Sequence, residues 1–214
     1  MRDLLARCLA VGAGAWSDTL DRMGAGDCVL EGLVQRAGSG RIAGPALTVK
    51  LIVGELNAYP LEEFAVGKFL DVIEPGAIVV VEMGGAAVST FGGLAAQKAV
   101  ARGASGVIVD GACRDLAELM ASGLWVASRH VTPRSGKMRV RVAGVNVPVT
   151  ACGVQIDAGD CIIADETGIV RVPAAQLRDA LERAEELEAR DRKFARSLGE
   201  GESFSSLATR LHHS

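Results

Sequence analysis

The segment from residue 91 to residue 116, FGGLAAQKAVARGASGVIVDGACRDL, constrains the fold more than any other stretch of the chain. Apolar and small residues recur with a helical period over 94–102. A short β-branched run bounded by glycines follows at 106–110, and such a run is typical of a strand buried on both faces. A helix joined closely to a buried strand favours parallel pairing, so this segment predicts an α/β protein.

The rest of the chain favours a mixed sheet. Turn signals recur roughly every 8 to 12 residues in the second half, which favours antiparallel pairing there. Further strands are predicted at 45–53, 77–82, 124–127, 161–164 and 168–172, and the alternating stretch 139–149 predicts a hairpin or a bulged strand. We therefore expect a mixed α/β domain with stacked sheets and with helices on the outside.

Helices are predicted at 2–11, at 61–72 and at 116–122, and Ser17 with Asp18 is expected to cap a helix that ends before Gly24. The stretch from 174 to 198 predicts a long charged helix with many opposite charges four residues apart. Such a helix needs a surface to lie on, and a neighbouring subunit would provide one. We thus expect one domain over 1–173, helical over about its first 15 residues, and a helical arm and tail over 174–214 that is irregular after 200.

Charge and hydropathy exclude two classes of partner. The net charge is −3 and no dense basic block is present, which argues against a dedicated nucleic-acid binder. No apolar run approaches the roughly 18 residues that a membrane-spanning helix needs. Residues 4–16 faintly resemble a signal peptide, but Arg7 interrupts them, so an amphipathic first helix is the better interpretation.

The five cysteines are odd in number, scattered and without metal-ligand spacing: Cys8, Cys28, Cys113, Cys152 and Cys161. Reduced thiols and a cytoplasmic location are therefore expected. Two of the three histidines, His212 and His213, lie at the C-terminal tip and are expected to be tail residues without function.

Candidate chemistry gathers at both ends of the central unit. Free amide groups at a helix start attract anions, and the pair Gly92–Gly93 would let an anion approach closely. Arg114 has the geometry to grip a carboxylate, and Asp115 is a suitable ligand for a hard divalent metal. Neighbouring residues of a strand point to opposite faces, so we expect a turn after Gly111 to bring the two together. On these residues alone, an ordinary surface ion pair is the commoner explanation.

Other charged residues admit two interpretations each. Glu82 at the end of a predicted strand is either a supporting acid of the site or an exposed carboxylate. Asp165 and Glu166 are either metal ligands or simple turn residues. The polar loop 128–138 either faces an acidic substrate or is merely solvated, and it carries Arg129, His130, Arg134 and Lys137.

Five stretches in order resemble one family: 41–50, 74–85, 93–115, 132–136 and 146–173. Together they resemble the RraA-like family over roughly residues 15 to 173. That family contains the regulator of ribonuclease activity A and the 4-hydroxy-4-methyl-2-oxoglutarate/4-carboxy-4-hydroxy-2-oxoadipate aldolases. The resemblance implies a swivelling β/β/α fold, like that of phosphohistidine domains, assembled as a trimer or hexamer with a site between subunits.

The resemblance also implies roles for particular residues. Pyruvate would be held by the backbone amides of Gly92, Gly93, Leu94 and Ala95 and by the guanidinium of Arg114. Asp115 would ligate Mg²⁺ or Mn²⁺, and a Glu from the C-terminal helix of the next subunit would complete the site. The acids available on that helix here are Glu186, Glu188 and Asp191.

One departure from the aldolases bears on activity. They carry an acid 21 residues before the arginine, where it holds a metal-bound water, and that position here is Gly93. The regulators, by contrast, tend to lack the aspartate of the Arg–Asp pair, which this chain keeps as Asp115. Metal binding is therefore better supported than aldol chemistry, and Gly93→Asp is expected to raise activity.

The sequence therefore predicts a class II (metal-dependent) lyase that cleaves a pyruvate-derived 2-oxo acid such as 4-hydroxy-4-methyl-2-oxoglutarate, with oxaloacetate decarboxylation as a side activity. A second hypothesis is a non-catalytic regulator that binds a ribonuclease or another protein. A third is an enzyme of the same fold repurposed for another metal-assisted reaction, in which Cys113 or His130 would matter.

Overall fold

A computed structural model describes residues 2–211 of the chain. Nine strands form one mixed sheet in the order β1-β6-β5-β3-β2-β10-β11, with β4 beside β5 and β7 beside β2, and β8 and β9 form a separate hairpin. The strands are β1 (Val34–Ala37), β2 (Ile42–Val53), β3 (Ile78–Glu82), β4 (Ser89–Phe91), β5 (Gly106–Cys113), β6 (Trp125–Val131), β7 (Val140–Val145), β8 (Val149–Ala151), β9 (Val154–Ile156), β10 (Cys161–Ala164) and β11 (Ile169–Val172). The helices are α1 (Arg2–Ala10), α2 (Ala13–Arg22), α3 (Gly67–Leu70), α4 (Gly93–Ala101), α5 (Leu116–Ser122), α6 (Leu177–Gly199) and α7 (Phe204–Leu211).

The centre of the sheet is parallel and its flanks are antiparallel. Strands β2, β3, β5 and β6 pair in parallel, with Val81 opposite Val109. Strands β1, β7, β10 and β11 pair antiparallel to their neighbours. The predicted mixed α/β fold with a long C-terminal helix is confirmed. The pairing is mixed because α4 returns the chain to β5, whereas short turns join the later strands.

Alternate side chains of the central strands enter two different cores. Val107 and Val109 of β5 face a cluster that α3, α4 and α5 cover, whereas Ile108 faces a cluster closed by the β8–β9 hairpin. A third cluster joins α1, α2 and α6 to β10 and β11. Full burial of a Val or Ile side chain contributes about 1.5–3 kcal/mol, so the β-branched run holds both layers to the sheet.

Two predicted helices differ from the structure. Helix α2 begins at Ala13, earlier than Ser17, because the buried carboxylate of Asp165 accepts a hydrogen bond from the Ala13 amide at 2.9 Å. The predicted helix over 61–72 is instead a 3₁₀ turn, Leu61–Glu63, followed by the four-residue α3. Only the last turn is buried there, since Leu61 is 53% exposed, so the first turns have no core to pack against.

The C-terminal helix finds a surface on its own chain. Leu181 and Ala184 of α6 are buried in the core cluster that contains α2, and Leu187 is buried beside that cluster. Helix α7 folds back onto the far end of α6, where the rings of Phe194 and Phe204 meet edge to face at 5.1 Å. The expectation of an irregular chain after residue 200 is therefore wrong for Phe204–Leu211. Contact of α6 with a neighbouring subunit stays a prediction, and His212 and His213 lie outside the described residues.

Across residues 2–211, none of the helices combines the length and the apolar character that crossing a membrane requires.

Candidate functional site

The Arg–Asp pair lies at the carboxyl end of a central parallel strand. Strand β5 continues through Gly111 to Cys113, so the predicted turn after Gly111 is displaced to Arg114 and Asp115. Asp115 adopts a left-handed conformation, with φ 56° and ψ 48°, and this reverses the chain into α5. Because of that turn both side chains lie on one side, with Arg114 Nε 3.3 Å from Asp115 Oδ2.

The glycine pair brings the start of α4 to the same place. Gly92 is extended, its carbonyl accepts a hydrogen bond from the Ala96 amide at 2.9 Å, and Gly93 is the first residue of α4. The Gly93 amide donates to Asp115 Oδ2 at 3.2 Å. Within residues 2–211, the amides of Leu94 and Ala95 have no hydrogen-bond acceptor, as expected for the first turn of a helix. This helix end therefore offers two amide donors to an anion.

Two carboxylates converge where the glycines lack side chains. A Cβ added at Gly92 would overlap Asp115 Oδ2 and lie 3.0 Å from Arg114 Cγ. A Cβ added at Gly93 would overlap the carboxylate of Glu118 and lie 2.8 Å from Glu118 Cβ. The space at the glycine pair is thus a cradle filled by the carboxylates of Asp115 and Glu118.

Glu118 is the site residue that sequence reasoning missed. It lies in the first turn of α5, three residues after Asp115, and its amide donates to the Asp115 carbonyl at 3.0 Å. Residues three apart on a helix share a face, so the spacing Asp115-x-x-Glu118 was the available signal. The resemblance to the aldolases suggested that the acid usually found at position 93 is missing. The structure places an acid beside that position, because Glu118 supplies a carboxylate from another helix.

The donor set fits a hard divalent cation. Among residues 2–211 no group of three or more His, Cys, Asp or Glu side chains is arranged to hold a metal. Mg²⁺, however, is usually held by one or two carboxylates together with water and substrate oxygens. Asp115 and Glu118 provide two such carboxylates in the cradle at the glycine pair.

The Arg114–Asp115 pair is accessible to solvent and easily rearranged. The side chains of Arg114 and Asp115 are 40% and 38% exposed. An exposed ion pair of this kind stabilises a fold by only about 0–1 kcal/mol, so the pair is not needed to hold the turn together. Arg114 is therefore free to exchange its partner for the carboxylate of a ligand.

Two other acids at strand ends have structural partners on the opposite face of the sheet. Glu82 accepts a hydrogen bond from the Thr150 amide at 2.8 Å and lies 3.3 Å from Lys50 Nζ, so it anchors the β8–β9 hairpin. The buried Asp110 pairs with Arg129, and this contact raises the pKa of the Arg129 guanidinium. Glu82 and Arg129 therefore have structural partners of their own.

The remaining candidates are buried, have structural partners of their own or are exposed without an ion pair. His130 Nε2 lies 3.1 Å from the Gly85 carbonyl oxygen. Cys113 is buried, with its Sγ 3.3 Å from Ser128 Oγ, which leaves no access for a substrate. Asp165 caps α2, as described above, so its partners support the interpretation as a turn residue. In the described part of the chain, Arg134 and Lys137 are exposed and have no ion pair.

The acids of the C-terminal helix belong to another region of the chain. Glu188 lies 3.7 Å from Arg192 on the same helix. Asp179 is the main cause of the raised pKa of Arg183, and the charge of the nearby Glu186 adds a smaller effect. The buried face of α6 packs with α1 and α2, whereas α4 and α5 pack in a different core cluster. A role for Glu186, Glu188 or Asp191 of a neighbouring subunit in this site stays a prediction.

Comparisons with known proteins found relatives in sequence and in structure. The chain is 28% identical over 161 residues to a putative 4-hydroxy-4-methyl-2-oxoglutarate aldolase of Halalkalibacterium halodurans, covering 75% of this chain and 73% of that protein. A crystal structure of a protein from Pseudomonas syringae superposes with a TM-score of 0.87 at 25% identity, covering 98% of this chain and 94% of that one. A third comparison is the structure of Streptomyces coelicolor RraAS2, described as an unusual member of the RNase ES inhibitor RraA protein family. It superposes with a TM-score of 0.81 at 24% identity, covering 91% of this chain and 96% of that one, and it shows the shared fold.

A family model described as RraA-like, Aldolase/RraA, matches residues 15–171, which is most of the chain and includes the whole of the site. The strands from β1 to β10, the glycine pair at the start of α4 and the Arg–Asp turn after β5 all lie within that match. The chain therefore belongs to the RraA-like family.

Proposed function

We propose that this protein is a divalent-metal-dependent carbon–carbon lyase that cleaves a pyruvate-derived 2-oxo acid. A compound such as 4-hydroxy-4-methyl-2-oxoglutarate is the expected substrate, and oxaloacetate decarboxylation is the expected side activity. The observation that carries the proposal is the convergence of Arg114, Asp115 and Glu118 on the free amide end of α4. The aldolase name of the H. halodurans relative supports the same reaction class.

The cation and the amides suit the 2-oxo acid end of the substrate. Arg114 would bind the C1 carboxylate with two parallel hydrogen bonds, exchanging Asp115 for the ligand. The amides of Leu94 and Ala95 would face the carboxylate or the keto oxygen, where negative charge develops as the bond breaks. Fixed dipoles of this kind stabilise a developing oxyanion without reorganisation during the reaction.

The two carboxylates suit metal binding and proton transfer. Asp115 would hold Mg²⁺ or Mn²⁺, and a bound ion would supply Lewis-acid stabilisation of the enolate. In aldol cleavage the C3–C4 bond breaks, its electron pair forms the pyruvate enolate, and the C4 hydroxyl loses its proton. Glu118, directly or through a water, would accept that proton and return one to C3. A positioned general acid–base of this kind contributes about 10² to 10⁴-fold in rate.

A homo-oligomer fits the exposure of the site. The side chains that would bind substrate are open to solvent in one chain, and α6 packs in a different core cluster from α4 and α5. A trimer or hexamer that sets α6 of one copy beside α4 of another would add a carboxylate and exclude water. One of Glu186, Glu188 and Asp191 would then complete the site.

The test is pyruvate release from 4-hydroxy-4-methyl-2-oxoglutarate and from oxaloacetate, with Mg²⁺, with Mn²⁺ and with EDTA. Turnover should require the metal and should be lost in the Asp115→Ala variant. The rate measured with that variant and metal also gives the background decarboxylation by free metal in solution. Mn²⁺ binding followed by electron paramagnetic resonance gives a second readout, and Asp115→Ala should weaken it. Absence of both turnover and Mn²⁺ binding in the wild type would overturn the proposal.

A non-catalytic regulator is the second candidate, because the chain shares the fold of RraAS2, which is described as an unusual member of the RNase ES inhibitor RraA protein family. In that case the protein would inhibit a purified ribonuclease equally well in the presence of Mg²⁺ or EDTA. The Asp115→Ala variant would then inhibit the ribonuclease as strongly as the wild type does, since metal binding would have no part in the contact.

A further inference from the structure

The strand that leads to the Arg–Asp turn carries one extra residue just before that turn. In the pairing of β5 with β6, Val109 lies opposite Ser128. The next paired residue, Ala112, lies opposite His130, so three steps along β5 match two steps along β6. An extra residue of this kind is a β-bulge, and bulges next to active sites re-aim the side chains that follow them. Since neighbouring residues of a strand point to opposite faces, the bulge sets the face from which Arg114 leaves β5.

Arg36 braces β6 at the level of the bulge. It belongs to β1, the strand at the edge of the sheet, which pairs with β6 as far as Ser128. The Arg36 guanidinium donates to the carbonyl of Ser128 at 3.2 Å and to the carbonyl of Arg129 at 2.9 Å. Its Nε also donates to Ser128 Oγ at 3.2 Å. Because the donors of a guanidinium have a fixed fork geometry, these three bonds hold this part of β6 in one arrangement.

The Ser128 hydroxyl extends this brace to the residue before Arg114. Ser128 Oγ donates its single hydrogen to the carbonyl of His130 at 2.8 Å. It therefore accepts from Arg36 and from the thiol of Cys113, whose Sγ lies 3.3 Å away. Cys113 and Ser128 are fully buried, and a buried polar group that loses its partner bears the full desolvation penalty. A continuous hydrogen-bonded chain thus runs from the sheet edge to the backbone beside Arg114.

We infer that Arg36 is a positioning residue for the guanidinium of Arg114. It acts through Ser128 and Cys113 rather than by touching the substrate. The inference rests on the proposed function, in which Arg114 binds the 2-oxo carboxylate with two parallel hydrogen bonds. Both bonds require one alignment of the guanidinium, and a misplacement of about 1 Å can cost as much as about 10²-fold in rate.

The first test is the kinetic effect of removing the brace. Arg36→Met deletes the three donors and keeps the apolar part of the side chain. The KM for 4-hydroxy-4-methyl-2-oxoglutarate should rise about fivefold or more, with kcat within about twofold of the wild type, because a binding contact is lost equally from the bound substrate and the transition state. Arg36→Lys keeps the charge without the fork, so its KM should lie between those of Arg36→Met and the wild type.

A double-mutant cycle separates positioning from general support of the fold. In the Arg114→Lys background the fork that Arg36 would align is already absent. Arg36→Met/Arg114→Lys should therefore have a KM within about twofold of that of Arg114→Lys alone.

Arg171→Met is the matched control. Arg171 lies on β11, is 15% exposed and donates from Nε to the buried Asp160 at 2.7 Å. It packs in the layer formed with α1, α2 and α6, away from α4 and α5. Its removal should lower the free energy of unfolding in urea at least as much as Arg36→Met does, yet leave KM within about twofold of the wild type.

Each contrary result has a distinct meaning. An unchanged KM in a folded Arg36→Met protein would overturn the role of Arg36 and leave the lyase proposal standing. The same rise in KM with and without Arg114→Lys, or an equal rise in Arg171→Met, would also overturn it, because the effect would then be general. If Arg36→Met does not fold, Arg36→Lys completes the same cycle. Absence of pyruvate release by the wild type would overturn the proposed function and, with it, this role of Arg36.

Discussion

The carboxylate of Glu118 occupies the space into which a side chain at Gly93 would project. Even Glu118 Cβ lies only 2.8 Å from the Cβ position of residue 93, which is closer than two carbon atoms can approach without a shift. Positions 93 and 118 therefore exclude one another as sources of a carboxylate. The structure explains how a chain with glycine at position 93 keeps an acid at the end of α4.

Gly93→Asp should lower activity, contrary to the expectation from sequence. The new side chain would displace Glu118 and crowd the start of α5, and overpacking of this kind costs about 1–3 kcal/mol. Urea unfolding should show that loss of stability, and pyruvate release should fall below the wild-type rate. A folded Gly93→Asp variant that turns over faster than the wild type would contradict the assignment of Glu118.

Moving the acid from one helix to the other should restore function. Gly93→Asp combined with Glu118→Gly removes the Glu118 Cβ and keeps one carboxylate in the cradle, so its turnover should exceed that of either single variant. Gly93→Ala/Glu118→Gly is the matched control, because it changes the backbone in the same way and carries no carboxylate. Equal turnover in the two double variants would show that the acid has no role in catalysis.

The sequence was sufficient to predict the elements whose signals are local. The β-branched run at 106–110 predicted a buried strand, and the segment 116–122 predicted α5 with the observed bounds. The resemblance to the RraA-like family predicted Arg114, Asp115 and the glycine pair, which the structure brings together. Their roles in substrate and metal binding stay predictions.

The features that sequence reasoning missed depend on tertiary contacts. Glu118 meets Gly93 only because α4 and α5 pack side by side after an unusual left-handed turn at Asp115. The early start of α2 depends on a carboxylate 152 positions away in the chain. Both contacts join residues far apart in the chain, so propensity could not reveal them, and only the spacing of Glu118 from Asp115 pointed to one of the residues involved.

Arg114→Lys should weaken substrate binding while leaving the fold intact. Lysine keeps the positive charge but lacks the two parallel donors that match a carboxylate. We expect KM to rise about tenfold or more. The free energy of unfolding should stay within about 0.5 kcal/mol, because the side chain is 40% exposed and, among residues 2–211, pairs only with Asp115. Steady-state kinetics and urea unfolding test both parts, and an unchanged KM would contradict the assigned role.

Cys152 should react slowly although it is the least buried of the five cysteines. Burial, and then the charge of Asp110, raises the pKa of its thiol to about 12. At pH 8 the folded protein therefore holds far less thiolate than the unfolded chain, whose thiol has a pKa near 8.5. Alkylation of Cys152 by iodoacetamide, followed by mass spectrometry, should be at least about tenfold slower in the native protein than in urea.

The same shift predicts a dependence of stability on pH. Since the pKa is raised in the folded state, ionisation of Cys152 favours the unfolded chain as the pH rises from about 9 towards about 12. Cys152→Ser should remove part of that loss of stability at alkaline pH. Asp110→Asn should speed alkylation, and native alkylation as fast as in urea would contradict the raised pKa.

Asp165 and Glu166, the two adjacent acids of the β10–β11 turn, should differ sharply in their effect on stability. Asp165 is 5% exposed, and its carboxylate accepts hydrogen bonds from the Ala13 amide at 2.9 Å and the Thr167 amide at 2.8 Å. Asp165→Ala would leave the start of α2 uncapped and should cost about 1–3 kcal/mol in the free energy of unfolding. Glu166→Ala, an exposed neighbour, should change it by less than about 0.5 kcal/mol. Neither variant should alter the affinity for Mn²⁺, because the proposed metal ligand is Asp115, and a lost Mn²⁺ signal in a folded Asp165→Ala protein would move the metal site to this turn.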